Sequence, residues 1–88
     1  MSDTAELIRE RLAGLEPESL EIVDESAAHA GHAGAASGGG HFRLIIVSNR
    51  FAGMNAVSRH RLIYQQLGDL MSGRIHALSI NALTPNEF

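Results

Sequence analysis

Cysteine is absent from this chain of 88 residues. Its absence excludes a disulfide scaffold, a thiolate nucleophile and any zinc or iron–sulfur site built from the chain's own thiolates. Long apolar runs are also missing, because the longest one covers only residues 44–47. A membrane-spanning helix requires about 20 such residues, and the first residues lack the basic and apolar segments of a signal peptide. The sequence therefore predicts a cytoplasmic protein with no membrane partner.

Lysine is absent as well, so all seven basic residues other than histidine are arginines. The net charge is −3 at pH 7, and it is unevenly distributed. Residues 1–25 carry eight acidic residues and two arginines, whereas residues 26–88 carry two acidic residues and five arginines. An acidic chain is a poor general binder of polyanions, although the second part could still present a local basic surface.

The length of the chain is sufficient for one domain, which we expect to span residues 1–88. Hydrophobic residues make up 44% of the sequence and charged residues 19%, as in an average globular protein. Such a composition does not favour overall disorder, because enough apolar surface is available to form a core.

Two segments have the apolar periodicity of amphipathic helices. We predict helices over residues 4–13 and 58–71, the first ending near Gly14 and the second at residues 72–73. The residues at helical spacing are Ala5, Ile8, Leu12 and Leu15 in the first segment and Ile63, Leu67 and Leu70 in the second.

Three segments have the composition of strands, over residues 19–25, 41–48 and 74–81. The first two should pair antiparallel, while residues 41–81 are long enough for a strand–helix–strand crossover to a parallel third strand. The third strand is dense in apolar residues, so we expect it to be buried on both faces. The prediction is an α/β fold of the α+β type, ordered α-β-β-α-β, with a three-stranded mixed sheet and both helices on one face. A short C-terminal helix should begin at Thr84, before Pro85.

Residues 26–40 consist only of alanine, glycine, serine and histidine, which predicts a flexible loop. The glycines at 38–40 precede a strand rather than a helix, so they do not form a phosphate-binding loop. His29 and His32 lie in this segment without helical context or an intervening glutamate. Their spacing alone favours two solvated histidines over a pair of metal ligands.

His76 interrupts the apolar third strand. A histidine in this position is either a structural residue hydrogen-bonded to backbone, or a metal ligand or proton-transfer group. No serine, acid or second histidine at an informative spacing completes a catalytic set. We therefore expect no enzymatic activity.

The triplet Arg59-His60-Arg61 lies in the first turn of the predicted second helix, and Arg50 lies in the turn before it. Cations at a helix N-terminus oppose the helix dipole, at a cost of about 0.3–1 kcal/mol each. Either these side chains form a site for an anion or an acidic partner, or they are simply solvated. The first interpretation predicts that the triplet lies on or beside a partner surface rather than in the core. Charge reversal at Arg59 and Arg61 should then weaken association with little loss of stability.

Residues 41–53, the triplet at 59–61 and the strand at 75–80 together resemble the BolA family. Their order and spacing fit the family, and residues 25–29 fit the segment before its variable loop. The resemblance extends from the first helix to Pro85. It implies an α-β-β-α-β fold of the type II KH-like arrangement, in agreement with the predicted elements.

The resemblance also implies a function. BolA-like proteins pair with monothiol glutaredoxins and share a [2Fe–2S] cluster across the interface. The family's strand ligand corresponds to His76, and its loop ligand corresponds to His29, with His32 as an alternative in this sequence. Glutathione and a cysteine of the partner would supply the thiolates, so the isolated chain should hold no cluster.

Some BolA-like proteins are DNA-binding transcriptional regulators, which gives a second hypothesis. A plain interaction protein without a cofactor is a third. The free chain is expected to be a monomer or a weak homodimer. The candidate contacts for a partner or for DNA are Arg43, Arg50, Arg59, His60 and Arg61.

Overall fold

The computed structural model describes residues 3–25 and 40–88. The predicted order of elements, α-β-β-α-β, is confirmed. The loop predicted over residues 26–40 lies outside the described residues except for Gly40, which begins the second strand. The elements are α1 (Asp3–Leu12), β1 (Ser19–Asp24), β2 (Gly40–Val47), α2 (Ala56–Leu67) and β3 (Ile75–Leu83).

The three strands form one mixed sheet in the order β1-β2-β3. β1 pairs antiparallel with β2, and β3 pairs parallel with β2. The central position suits β2, because its β-branched and large apolar residues pack well on a pleated surface. The mixed sheet predicted from the sequence is therefore confirmed.

The core lies on one face of the sheet, where α1 and α2 both pack. In β2 the residues Phe42, Leu44 and Ile46 alternate toward this face and are buried. Each such side chain contributes about 1.5–3 kcal/mol when it is removed from water. The helices bury against them the side chains of Ile8, Leu12, Ile63 and Leu67.

The expectation that β3 is buried on both faces is wrong. Leu78 and Ile80 pack against the core, whereas Ala77 and Ser79, which alternate with them along the strand, are exposed. The reason is that β3 is an edge strand and both helices lie on the same side of the sheet. An apolar composition thus reflects one buried face in this strand rather than two.

The two helices end differently from the prediction. After α1 the left-handed residue is Glu16, with φ 50°, and not Gly14. Gly14 instead lies against α2, where a Cβ at this position would be 2.9 Å from Oε1 of Gln66 and would require only that the flexible end of this side chain move. The second helix ends at Leu67, since Gly68 adopts a positive φ of 55° and donates its N–H to the Tyr64 carbonyl.

The residues after β3 form a turn instead of the predicted short helix. The Glu87 N–H donates to the Thr84 carbonyl at 3.0 Å, and the Thr84 N–H donates to Glu87 Oε1 at 2.8 Å. This reciprocal pattern resembles a capping box, so the helix-start signal at Thr84 produces a single closed turn. In the part of the chain that the structure describes, no helix has the length and apolar character to span a membrane.

Candidate functional site

His76 lies at an irregularity near the start of β3. Gly40 pairs with Ile75 and His41 pairs with Ala77, so His76 is an extra residue in β3 with no partner position in β2. An extra residue of this kind bends a strand and redirects a side chain. The His76 side chain is exposed, which favours a binding role over that of a buried structural histidine.

The His76 ring lies beside that of His41. The two ring centroids are 5.2 Å apart, and the planes are tilted by 41°. His41 is half-buried, and its backbone carbonyl accepts the Glu25 N–H at 2.7 Å. The sheet therefore fixes the backbone beneath both imidazoles.

The other candidate metal ligands, His29 and His32, lie outside the described residues, so their roles stay predictions. Among residues 3–25 and 40–88, no group of three or more histidine, cysteine or acidic side chains could hold a metal ion. A two-iron cluster takes four ligands. The exposed imidazole of His76 fits such a cluster only if other groups supply most of the ligands.

Arg59 requires a correction to the prediction that its charge reversal causes little loss of stability. Its side chain is only 13% exposed. Nε donates to the Met54 carbonyl and Nη1 to the Ala82 carbonyl, each at 2.9 Å. The guanidinium also donates to both carboxylate oxygens of Glu87, at 2.6 and 3.1 Å. Arg59 therefore joins the start of α2 to the end of β3 and to the final turn.

Hydrogen bonds from Arg59 and, to a smaller extent, from the Thr84 backbone N–H together lower the pKa of Glu87 to about 2. The same hydrogen bond from Glu87 raises the pKa of Arg59 above its ordinary value. The pair is consequently ionised at any physiological pH. The Arg59 guanidinium also lies 5.9 Å from the centre of the Phe51 ring, within the range of a cation–π contact.

His60 and Arg61 remain accessible, His60 half-buried and Arg61 exposed. Because α2 begins at Ala56 and not at residue 58, both lie beyond its first turn, where the dipole effect is weak. His60 also lines a groove of about 440 Å³ between the start of α2 and β3, together with Asn81. The energetic cost of placing these cations near the N-terminus of α2 is therefore smaller than the sequence predicted.

The two remaining arginines among the candidate contacts, Arg43 and Arg50, are paired with carboxylates of this chain. Arg50 donates through Nε to Glu16 Oε1 at 3.2 Å, and Arg43 lies 2.9 Å from the Glu25 carboxylate. Both arginine side chains are more than half exposed, so these ion pairs are weak and could exchange for an external anion. The ion pairs found among the described residues do not include Arg61.

Sequence reasoning missed two of these contacts. His41 and His76 both lie near the starts of strands predicted to be parallel, so aligning the strand starts could have placed them together. No comparable signal existed for Arg59 and Glu87, which are 28 residues apart and come together only when the final turn packs against α2.

Comparison with known proteins decides the family. The sequence model of the family described as BolA-like protein matches residues 12–87. The chain belongs to the BolA family. It is 45% identical over 74 residues to BolA-like protein 1 of Mus musculus, which covers 84% of this BolA chain and 52% of the mouse protein. It is 40% identical to the DNA-binding transcriptional regulator BolA of Escherichia coli (strain K12), over 93% of this chain and 80% of that protein.

Solved structures support the same conclusion. The BolA domain of SufE1 from Arabidopsis thaliana superimposes with a TM-score of 0.85 at 45% identity, covering 100% of this chain and 99% of that one. This BolA chain spans about half the length of its mouse relative. The fold and the family are therefore common to these proteins.

Proposed function

We propose that this BolA protein is a non-enzymatic binding protein that pairs with a monothiol glutaredoxin and shares a [2Fe–2S] cluster with it. Its role would be in iron–sulfur cluster trafficking or in iron and redox regulation. The observation that carries the proposal is the exposed position of His76 at the irregular start of β3, in a chain without cysteine.

In the proposed complex this chain supplies imidazole nitrogens, while glutathione and a glutaredoxin cysteine supply thiolates. His76 is one ligand, and the second is His29 or, as its alternative, His32. A cluster bound in this way provides one-electron redox chemistry, and replacing thiolates by imidazoles raises its reduction potential. The sheet holds the backbone of His76 in place, so this ligand requires little ordering when the partner binds.

His29 is expected to contribute less than His76. Its alanine- and glycine-rich neighbourhood predicts an ordering cost of about 1–2 kcal/mol for each residue fixed on binding. His32 could also replace it. His76→Ala should therefore reduce cluster binding more than His29→Ala.

The test is co-expression of this chain with a monothiol glutaredoxin, followed by visible spectroscopy and iron analysis of the purified complex. We expect a coloured complex that is lost in His76→Ala and retained in Glu21→Ala, the control at an exposed position of β1. His29→Cys should keep the cluster and shift its spectrum, because a thiolate then replaces an imidazole. An unchanged spectrum in both His76→Ala and His29→Ala would show that neither residue is a ligand.

Arg61 provides a separate test of the partner surface. Arg61→Glu should weaken association with the glutaredoxin and leave the melting temperature of the free chain unchanged, since Arg61 is exposed. Arg59→Glu is unsuitable for this purpose, because it would break contacts within the chain. Normal binding by Arg61→Glu, measured by calorimetry, would remove this residue from the interface.

DNA binding is the second candidate function. Two relatives, from Escherichia coli and Vibrio cholerae, carry the name DNA-binding transcriptional regulator BolA. The exposed Arg61 supports this candidate, whereas the net charge of −3 and the pairing of Arg43 and Arg50 oppose it. Duplex DNA should be retarded in a strongly salt-dependent manner if the candidate is correct. If the chain does not retard duplex DNA even at low salt, DNA binding is excluded.

A further inference from the structure

We infer that His41 and His76 together form a binding site for one divalent transition-metal ion, such as Zn²⁺, in the isolated chain. The inference begins from the two rings on adjacent strands, whose centroids are 5.2 Å apart. It assigns a ligand role to His41, which the proposed cluster does not use. It shares His76 with the proposed function but does not depend on a glutaredoxin.

The separation of the rings fits tetrahedral coordination. A Zn–N bond measures about 2.0–2.1 Å, and the centre of an imidazole lies roughly 1 Å beyond its nitrogen. Two imidazoles on one tetrahedral ion therefore have their centres roughly 5 Å apart. The observed separation of 5.2 Å agrees with this arrangement.

The position of the two residues in the sheet favours a preformed pair. His41 pairs in register with Ala77, and the extra residue in β3 places His76 directly before that position. The hydrogen bond from the Glu25 N–H to the His41 carbonyl ties β2 to the end of β1 at the same point. A metal ion that binds here links β2 and β3 without having to bring them together.

The chemistry of the pair selects the class of ion. Neutral imidazole is a good ligand for Zn²⁺, Cu²⁺ and Ni²⁺ and a poor one for Mg²⁺ or Ca²⁺. The nearest cation along β2 on the same face, Arg43, is paired with Glu25 at 2.9 Å, which reduces its repulsion of a bound ion. Water would complete the coordination, so the affinity should be moderate and the ion exchangeable.

The test is calorimetric titration of Zn²⁺ into the isolated full-length chain, with Mg²⁺ as the control ion. The variants are His41→Asn, His76→Asn and the double variant His29→Asn/His32→Asn, and His60→Asn is the control for an unrelated histidine. We expect one Zn²⁺ per chain, an affinity that falls by about tenfold or more in His41→Asn and in His76→Asn, and no change in the other two variants. Mg²⁺ should give no heat of binding.

Absence of Zn²⁺ binding, wild-type affinity in His41→Asn, or loss of binding in the double loop variant would each overturn the inference. A substituted chain could lose Zn²⁺ binding because it misfolds, so a second measurement uses only the wild-type protein. Co²⁺ added to the isotope-labelled wild-type protein should broaden NMR signals around His41 and His76, and broadening centred on His60 would contradict the site. A coloured glutaredoxin complex from a chain that fails to bind Zn²⁺ would reject this inference alone.

Discussion

At the scale of the residue, Arg59 fixes the final turn of the chain against the body of the domain. Its guanidinium contacts the Met54 and Ala82 carbonyls and the Glu87 carboxylate. Charge-assisted hydrogen bonds of this kind are stronger than those between neutral groups. The arginine therefore acts within the chain, while its neighbour Arg61 remains exposed for external contacts.

The Arg59–Glu87 pair predicts a specific dependence of stability on pH. The folded-state pKa of Glu87, about 2, lies below its ordinary value of 4.5. Its contribution to stability is therefore complete above pH 4.5 and is lost as the pH falls toward 2. We expect Glu87→Gln to be less stable than wild type at pH 6, and the difference to shrink progressively between pH 4.5 and 2.

Chemical denaturation of both chains at pH 6, 4, 3 and 2 measures this difference directly. Glu21→Gln is the control, because Glu21 is an exposed residue of β1 outside the ion pairs found among the described residues. A stability difference between wild type and Glu87→Gln that stays constant over the whole range would contradict the assignment.

Some residues of the candidate site could be predicted from the sequence, but their contacts could not. His76 could be singled out because a polar ring stands in an apolar strand, and Arg61 because it belongs to a basic triplet. The contacts of these side chains with residues distant in the sequence could not be predicted in the same way. The contact between His41 and His76 depends on the register of the two strands. The contact between Glu87 and Arg59 depends on how the final turn packs.

At the scale of the element, Ser48 connects the end of β2 to the turn that follows α1. It is fully buried, and its Oγ donates to the Leu15 carbonyl at 2.6 Å. The same Oγ accepts the Arg50 N–H at 3.1 Å and so caps the short 3-10 turn Asn49–Phe51. One hydroxyl thus satisfies polar backbone groups from two segments that meet at the sheet.

Replacing Ser48 by alanine should lower the free energy of unfolding by about 1–3 kcal/mol, because a buried carbonyl and a backbone N–H lose their partner. Ser72→Ala is the matched control, since the Ser72 hydroxyl donates to the Asp69 carbonyl at 2.8 Å in an exposed position. Its effect should stay within about 0.5 kcal/mol. Urea denaturation measures both, and equal losses would show that the burial of Ser48 has no special effect.

The elements themselves follow from the sequence more closely than their ends do. The apolar spacing of Ile63 and Leu67 predicts α2 correctly, but the stripe continues to Leu70 and suggests a longer helix. Leu70 is buried as predicted, in the 3-10 turn Gly68–Ser72 that follows the helix. Periodicity records which residues face the core, and it does not distinguish an α-helix from the tighter turn that follows.

At the scale of the whole molecule, β2 is the central strand, paired on both sides and packed against both helices. Its backbone amides form hydrogen bonds with two neighbours, while those of β1 and β3 have one neighbouring strand each. Opening β2 therefore requires a larger disruption of the sheet than opening either edge strand.

We expect the amides of β2 to exchange most slowly with deuterium, with Leu44 and Ile46 among the most protected because their side chains are fully buried. The edge strands should exchange earlier. Hydrogen exchange followed by NMR resolves the individual amides, and the slowest exchange in β1 or in β3 would contradict a folding core centred on β2.

The contact between Arg59 and Ala82 has a further consequence for how the molecule behaves at high concentration. Successive carbonyls of a strand point to opposite edges, and the Leu83 carbonyl accepts the Ser48 N–H beside β2. The Ala82 carbonyl therefore points away from β2, where Arg59 occupies it at 2.9 Å. An incoming strand from another molecule would have to displace a charged guanidinium before it could extend the sheet. This end of β3 is thereby protected against the edge-to-edge stacking from which aggregates and fibrils grow.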